Sequence, residues 1–342
     1  MTMYRISLYS LDNLFAAISA VEKLYIPADR EDGQSYFTEW KEGVRLSDNL
    51  NTFRSAKGLF FPQVQDLVSF RTEGKKIEVI DTRKETEDFV VFGVRACDAA
   101  SFGILDRVFL SDPVDSYYKT NRDHGTVMTL ACNRPDETCF CTSFGIDPSD
   151  PAGDISCWKD KENLYLKSLT EKGEKLVYAL KDLLTECDEN AADTVKAEVK
   201  AVMKELPLSD LKPDDFTGEQ LSVFNSEKWK ELYRSCIGCG TCTFVCPTCQ
   251  CYDIKDFNTG KGIERFRCWD SCMYSDFTMM ASGTPRLTQL ERFRQRFMHK
   301  LVYFPMNNDG VYGCVGCGRC LRKCPVSMNI VKVMKSLGGD AK

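Results

Sequence analysis

Two stretches near the C-terminal end decide the reading: Cys236-Ile-Gly-Cys239-Gly-Thr-Cys242-Thr-Phe-Val-Cys246-Pro247 and Cys314-Val-Gly-Cys317-Gly-Arg-Cys320-Leu-Arg-Lys-Cys324-Pro325. Both carry the pattern C-x2-C-x2-C-x3-C-P. In that pattern three closely spaced thiolates hold three irons of a 4Fe-4S cube, and the fourth cysteine serves the other cube. The spacing therefore predicts one cluster on Cys236, Cys239, Cys242 and Cys324 and a second on Cys314, Cys317, Cys320 and Cys246. Gly238, Gly240, Gly316 and Gly318 fall inside the turns, where a missing Cβ lets the backbone curl and bring N–H groups close to sulfur. Pro247 and Pro325 follow the crossing cysteines, and proline suits the first residue of a helix, so a helix is predicted over 326–337. Zinc is the competing ligand. A tetrahedral site takes four ligands in two pairs and has no use for the third close thiolate or the repeated Cys-Pro. A disulfide framework suits short secreted chains, whereas 342 residues with 43% hydrophobic content can bury cores without stapling.

The chain is expected to be α+β and two-domain: a mixed α/β N-terminal domain over 1–205, a linker over 206–225, and a mainly helical domain over 226–342. The last is built on a core that resembles a bacterial two-cluster ferredoxin with a large insertion, 252–313, between its cysteine runs. In the first half a helix is predicted over 11–24, opened by Ser10. Strands are predicted at 76–80, 89–94 and 126–131, with a helix over 99–109 between the last two, which makes a parallel β-α-β unit. Two prolines and a lack of periodicity mark 206–218 as the linker, and a further helix is expected over 226–233. Residues 286–300 carry five Lys or Arg against the single Glu291, on a helical pattern whose apolar face is Leu287, Leu290, Phe293, Phe297 and Leu301. Its basic side reads either as an ordinary solvated face or as a docking surface beside anionic cubes.

Ten cysteines remain. Cys97 and Cys132 follow predicted neighbouring strands, and Cys139-Phe-Cys141 follows in the next loop. Carboxyl ends of parallel strands share one crevice, so these four thiolates are expected to meet in a third 4Fe-4S cluster, with buried free thiols as the alternative. Cys249-Gln-Cys251, Cys268 and Cys272 form a residual group for which zinc, iron–sulfur, buried thiols or a shell around the second cluster all fit. Cys157 and Cys187 stand alone and read as structural.

A net charge of −5 argues against nucleic acid as a partner, and no apolar run approaches a membrane span. The N-terminus lacks the features of a secretory signal, so a reducing cytoplasm, of an anaerobe given the oxygen sensitivity of cubes, is the expected location. No G-x-G-x-x-G follows a strand, so nicotinamide binding is not expected on this chain. Only two histidines occur, His124 in a polar turn and His299 in the basic helix, which leaves general acid–base catalysis unsupported.

Val94-Arg-Ala-Cys-Asp98, Cys139-Phe-Cys141, the Cys-Pro-Thr-Cys-Gln-Cys tail ending at Cys251, Trp269-Asp-Ser-Cys272 and the run from Cys314 to Pro325 occur in one order. Together they resemble the iron–sulfur A subunits of anaerobic sulfite reductases and the β subunits of cytoplasmic sulfhydrogenases. A further relative lies among flavin oxidoreductases that feed heterodisulfide-reductase-like complexes. The resemblance implies an electron relay: a partner subunit holding FAD takes hydride from NAD(P)H, and this chain passes single electrons to a catalytic subunit of sulfite reductase, hydrogenase or heterodisulfide reductase type. Cys97, Cys132, Cys139, Cys141, Cys249, Cys251 and Cys272 match the family's cysteines, whereas Cys268 is peculiar to this sequence. Two rival functions stand beside the relay: an enzyme with a catalytic N-terminal cluster, and a redox-sensing metal-binding module.

Overall fold

The computed structural model describes residues 2–49, 51–83, 85–213 and 220–338. The first half contains β1 (Met3–Ser7), α1 (Leu11–Ser19), β2 (Lys23–Asp29), β3 (Ser35–Glu39), α2 (Lys57–Phe60), β4 (Val64–Glu73) and β5 (Lys76–Asp81). It continues with β6 (Phe89–Val94), α3 (Ala96–Phe109), α4 (Ser116–His124), β7 (Gly125–Leu130), β8 (Ile155–Lys159), β9 (Asn163–Ser168), α5 (Glu171–Ala179), β10 (Thr185–Cys187) and α6 (Asp193–Lys204). Eight of these strands make one sheet in the order β10-β1-β9-β8-β7-β6-β2-β3. Its centre, β2, β6, β7 and β8, is parallel, and its flanks are antiparallel.

The apolar runs of β6 and β7 are buried along their whole length, as a strand covered on both faces requires. Alternation sends Val90 and Phe92 to the face covered by Phe15 and Ile18 of α1 and Leu176 of α5. It sends Phe89 and Val91 to the opposite face, against Phe102 and Phe109 of α3 and Tyr118 of α4. Each such apolar side chain contributes about 2 kcal/mol through burial. The predicted β-α-β unit is present as β6, α3 and β7. The helix expected over 11–24 stops at Ser19, because Leu24 and Ile26 are drawn into the core as strand β2.

The second half contains α7 (Gln220–Asn225), α8 (Trp229–Leu232), α9 (Thr241–Phe244), β11 (Tyr252–Asn258), β12 (Gly262–Trp269), α10 (Gln289–Met298), α11 (Phe304–Asn307), α12 (Arg319–Arg322) and α13 (Ile330–Leu337). Of the expected linker, residues 214–219 lie outside the described residues. Trp229, Phe293, Phe297, Val333 and Met334 close a helical core, with the Trp229 ring stacked on Phe297 at 6.5 Å. Helix α10 begins with a capping box, Thr288 and Glu291 each bonding the other's backbone amide, and runs on into a π-helical turn, His299–Tyr303. Phe293, Phe297 and Leu301 face the core as expected, whereas Leu287 is 75% exposed. The basic side differs from the solvated face or docking surface read from the sequence: Arg296 and Lys300 point inward and are buried.

A second sheet, ordered β11-β12-β4-β5, is antiparallel throughout. Half of it comes from the stretch between the cysteine runs and half from the N-terminal half, with Gly262 opposite Arg71 and Cys268 opposite Val64. The strand read at 76–80 belongs here, as β5 beside β4.

Candidate metal centres

The two cysteine runs have the same local form. Gly238 and Gly240 take φ of 67° and 72°, Gly316 and Gly318 take 59° and 73°, and a one-turn helix follows each second glycine. These left-handed dihedrals let the chain wrap back within the C-x2-C spacing, and a Cβ would strain them. The structure brings Cys246 beside Cys314, Cys317 and Cys320, and places Cys236 and Cys246 beside Cys242. Burial pushes the Cys314 thiol up to about 12, opposed by the nearby Lys300 ammonium. Cys239 is exposed, with its thiol 3.4 Å from the Thr241 hydroxyl, and the Cys324 thiol lies 3.3 Å from the Met328 carbonyl.

The four N-terminal cysteines gather where the sheet topology directs them. Cys97 lies in the first turn of α3, just past β6, and Cys132 lies two residues past β7. The Arg95 guanidinium pins the two strand ends together by donating to the Ala131 carbonyl at 2.9 Å. Cys132, Cys139 and Cys141 are mutual neighbours, and Cys97 adjoins Cys141. Burial pushes the Cys139 thiol up to about 12, with Cys132 adding to the rise. Asn51 donates to the Cys139 sulfur at 3.6 Å.

This group abuts the second cysteine run. Cys97, Cys139 and Cys141 each have Cys317 as a neighbour. The Phe140 amide donates to the Gly316 carbonyl at 2.8 Å. A Cβ on Gly316 would stand 2.6 Å from the Phe140 carbonyl carbon, and one on Gly318 would stand 2.5 Å from the Thr138 carbonyl oxygen. Glycine is required at both positions by backbone-on-backbone packing as well as by dihedral. Beside this contact Arg319 and Asp98, both fully buried, form a bidentate ion pair, one arm at 2.7 Å, while Arg319 also donates to the Thr52 carbonyl at 2.8 Å.

Sequence reasoning missed the buried cations. Lys57, Arg296 and Lys300 are each more than nine-tenths buried and none is paired with a carboxylate among the described residues. Burial alone would lower Lys300, but the sulfurs of Cys246, Cys249 and Cys314 outweigh it and hold the ammonium above its ordinary value. Arg296 is held up in the same way by Cys242 and Cys320, and its Nε has no hydrogen-bond partner. Unpaired buried cations cost several kcal/mol each, so this region is built for an anionic occupant, as thiolate-bound iron–sulfur cubes are. The available signal was positional: residues 296 and 300 sit at i, i+4 on the flank of the Phe293–Phe297 stripe. Lys57 left no comparable trace. Cys157 is buried in β8, and Cys187 lies on the edge strand β10, packed on the same apolar cluster as Cys97 and Cys141. His124 bonds Asp88 at 2.6 Å, and burial pulls His299 down to about 4, with Lys300 and Arg286 adding to the fall. No helix among the described residues is long and apolar enough to cross a membrane.

Comparison with known proteins agrees with this geometry. Residues 235–328 match the family model of a 4Fe-4S dicluster domain, and the chain accordingly carries two 4Fe-4S clusters. No solved structure matches. Over 328 residues, 94% of this chain and 93% of the relative, the sequence is 33% identical to the sulfhydrogenase 2 subunit beta of Pyrococcus furiosus. At that identity and coverage the chain belongs to the sulfhydrogenase beta subunit family.

Proposed function

We propose that this chain is an iron–sulfur electron-transfer subunit of a hydrogenase-type oxidoreductase complex, relaying single electrons between an FAD- and NAD(P)-binding subunit and a catalytic redox subunit. The ligand sets are Cys236, Cys239, Cys242 and Cys324 for cluster one, and Cys314, Cys317, Cys320 and Cys246 for cluster two. Cys97, Cys132, Cys139 and Cys141 form the set for a third. Iron–sulfur clusters supply one-electron chemistry over a wide span of potentials set by charge, hydrogen bonds and exposure.

The observation that carries the reading is the continuity of sulfur neighbours. Cys317 adjoins Cys97, Cys139 and Cys141 on one side and Cys246 on the other, and Cys246 adjoins Cys242. The protein's own groups do three things along this line. The backbone contact at Gly316 and Gly318 fixes the spacing of the second and third sets, Arg319 and Asp98 lock it, and Arg296 supplies positive charge between the first and second sets. Cys239 and the 62% exposed Ile237 bring the first set to the surface.

The test is anaerobic reconstitution of the full chain followed by stepwise reduction with a reduced flavoprotein under electron paramagnetic resonance. About twelve irons per chain and stepwise reduction of every cluster are expected. Clusters that a reduced flavoprotein leaves oxidised, or fewer than about eight irons, would refute the relay.

A further inference from the structure

Two buried amines stand beside the second ligand set, and each is aimed at its backbone. Lys300, 5% exposed, lies in the π-helical turn and is clamped to the residue before Cys314. Its ammonium donates to the Gly313 carbonyl at 2.9 Å, its own carbonyl accepts from the Gly313 amide at 2.9 Å, and a Cβ on Gly313 would stand 3.1 Å from its Cα. The same ammonium donates at 2.6 Å to the Thr248 hydroxyl, which lies 3.2 Å from the Cys246 sulfur. Lys57, 2% exposed, arrives from α2 in the first half of the chain. It lies 3.7 Å from the centre of the Trp269 ring and donates to the carbonyls of Cys246 at 3.0 Å and Cys249 at 2.8 Å. Burial pulls this amine down to about 8, opposed by Cys249 and Cys246, so it is charged at neutral pH before any cube is bound. Cys249 thus stands in the wall beside Cys246. Cys251 and Cys272 flank the β11–β12 hairpin, where the Asp270 amide donates to the Cys251 carbonyl at 2.9 Å.

Among the described residues the other two sets have no such pair of uncompensated charges. At the first, the groups bonded to the ligand backbone are neutral: the Tyr274 hydroxyl donates to the Cys239 carbonyl at 3.2 Å, and the Gln289 amide donates to the Cys236 carbonyl. At the third, Asp98 cancels Arg319, and the Asn51 amide donates to the Cys139 sulfur at 3.6 Å. Arg296 adjoins Cys242 and Cys320 alike, so it favours the first and second sets together. Each electron added to a cube adds negative charge, and a fixed ammonium nearby stabilises the reduced state more than the oxidised one. Water reaching the exposed Cys239 has the same sign of effect on cluster one, but it acts at one edge. The two ammoniums act inside a buried site, where screening is weak.

We propose that Lys57 and Lys300 make cluster two the highest-potential centre of the chain, so that an electron entering at either end comes to rest in the middle, on the cube held by Cys314, Cys317, Cys320 and Cys246. The proposal rests on the relay reading for its ligand sets. A reduced flavoprotein loses one electron and cluster two gains it, with no bond on this chain formed or broken; the first electron of a hydride pair thus has a place to wait while the second follows. The test is potentiometric reduction of the anaerobically reconstituted full chain with dithionite, followed by electron paramagnetic resonance. The resonance that appears at the highest potential is expected to be displaced or lost in Cys314→Ser and retained in Cys236→Ser and Cys139→Ser. Lys300→Met and Lys57→Met should each lower the reduced-to-oxidised ratio of that cluster at fixed potential by about tenfold, a fall of about 59 mV, with iron content preserved. Lys300→Arg, which keeps the charge, should restore the ratio. A highest-potential resonance that persists unchanged in Cys314→Ser, or midpoints unmoved in both methionine variants, overturns the proposal and leaves the relay intact. Where Cys314→Ser loses every cluster, the methionine variants decide on an unaltered ligand set; where those lose iron, the serine variants decide. Fewer than about eight irons in the unaltered chain, or clusters that a reduced flavoprotein leaves oxidised, sink the relay itself.

Discussion

The run at 236–247 and the run at 314–325 share spacing, glycine dihedrals and a following one-turn helix, yet they occupy opposite environments. In the first, Ile237 is 62% exposed, Cys239 is open to solvent, and the nearest atom to a Cβ on Gly238 is the Gln289 side chain at 3.8 Å. In the second, the matching Val315 and Cys317 are buried, and the glycines press on the backbone of 138–141. The motif specifies the curl around a cube. On the proposed relay, what packs on the curl would make one run an electron port and the other a junction.

Five substitutions, four of them in matched pairs, bring that contrast to measurement. At the position between the second glycine and the third cysteine, Arg319→Met leaves the Asp98 carboxylate buried without its partner and is expected to cost about 3–5 kcal/mol. The matching Thr241→Met should stay within about 1 kcal/mol. Denaturant unfolding of the reconstituted protein measures both, and equal losses at the two positions would erase the distinction. Next, Gly316→Ala adds a clash with the Phe140 backbone to the dihedral strain and should cost about 2–4 kcal/mol. Gly238→Ala bears the strain alone, at about 1 kcal/mol. A broadened or displaced resonance from the third cluster should accompany only the former. The smallest effect on stability belongs to Ile237→Glu, within about 0.5 kcal/mol. If this surface is the port, the same change slows electron exchange with a redox partner by about tenfold in stopped flow. An unaltered rate would place the port elsewhere.

Much of this was legible in the chain itself. The duplicated cysteine spacing pointed to the dicluster domain, and the strand patterns at 89–94 and 126–131 pointed to the parallel centre of the main sheet with α3 between them. Elements whose stability comes from distant partners were not legible. The start of β2, Lys23 and Leu24, reads as the tail of a helix until Leu24 finds the core. The hairpin β11–β12 has a first strand that is exposed along nearly its whole length and little apolar alternation, so nothing local marks it, and its partner β4 lies far off in sequence. The cations were hidden for a related reason. Lys and Arg are rarely buried, so Lys57, Arg296 and Lys300 read as surface until the sulfurs they compensate are placed around them.

The mixed second sheet has a consequence for how the chain is made. The edge of β4 that finally receives β12 is synthesised nearly two hundred residues before its partner. At ordinary elongation rates that interval is about 10 to 40 seconds. Throughout it the nascent strand presents open N–H and C=O groups to the cell, guarded by Asp66, Arg71 and Glu73 along its length. Only after the first cysteine run has emerged can that edge be sealed, so the second sheet closes late in synthesis.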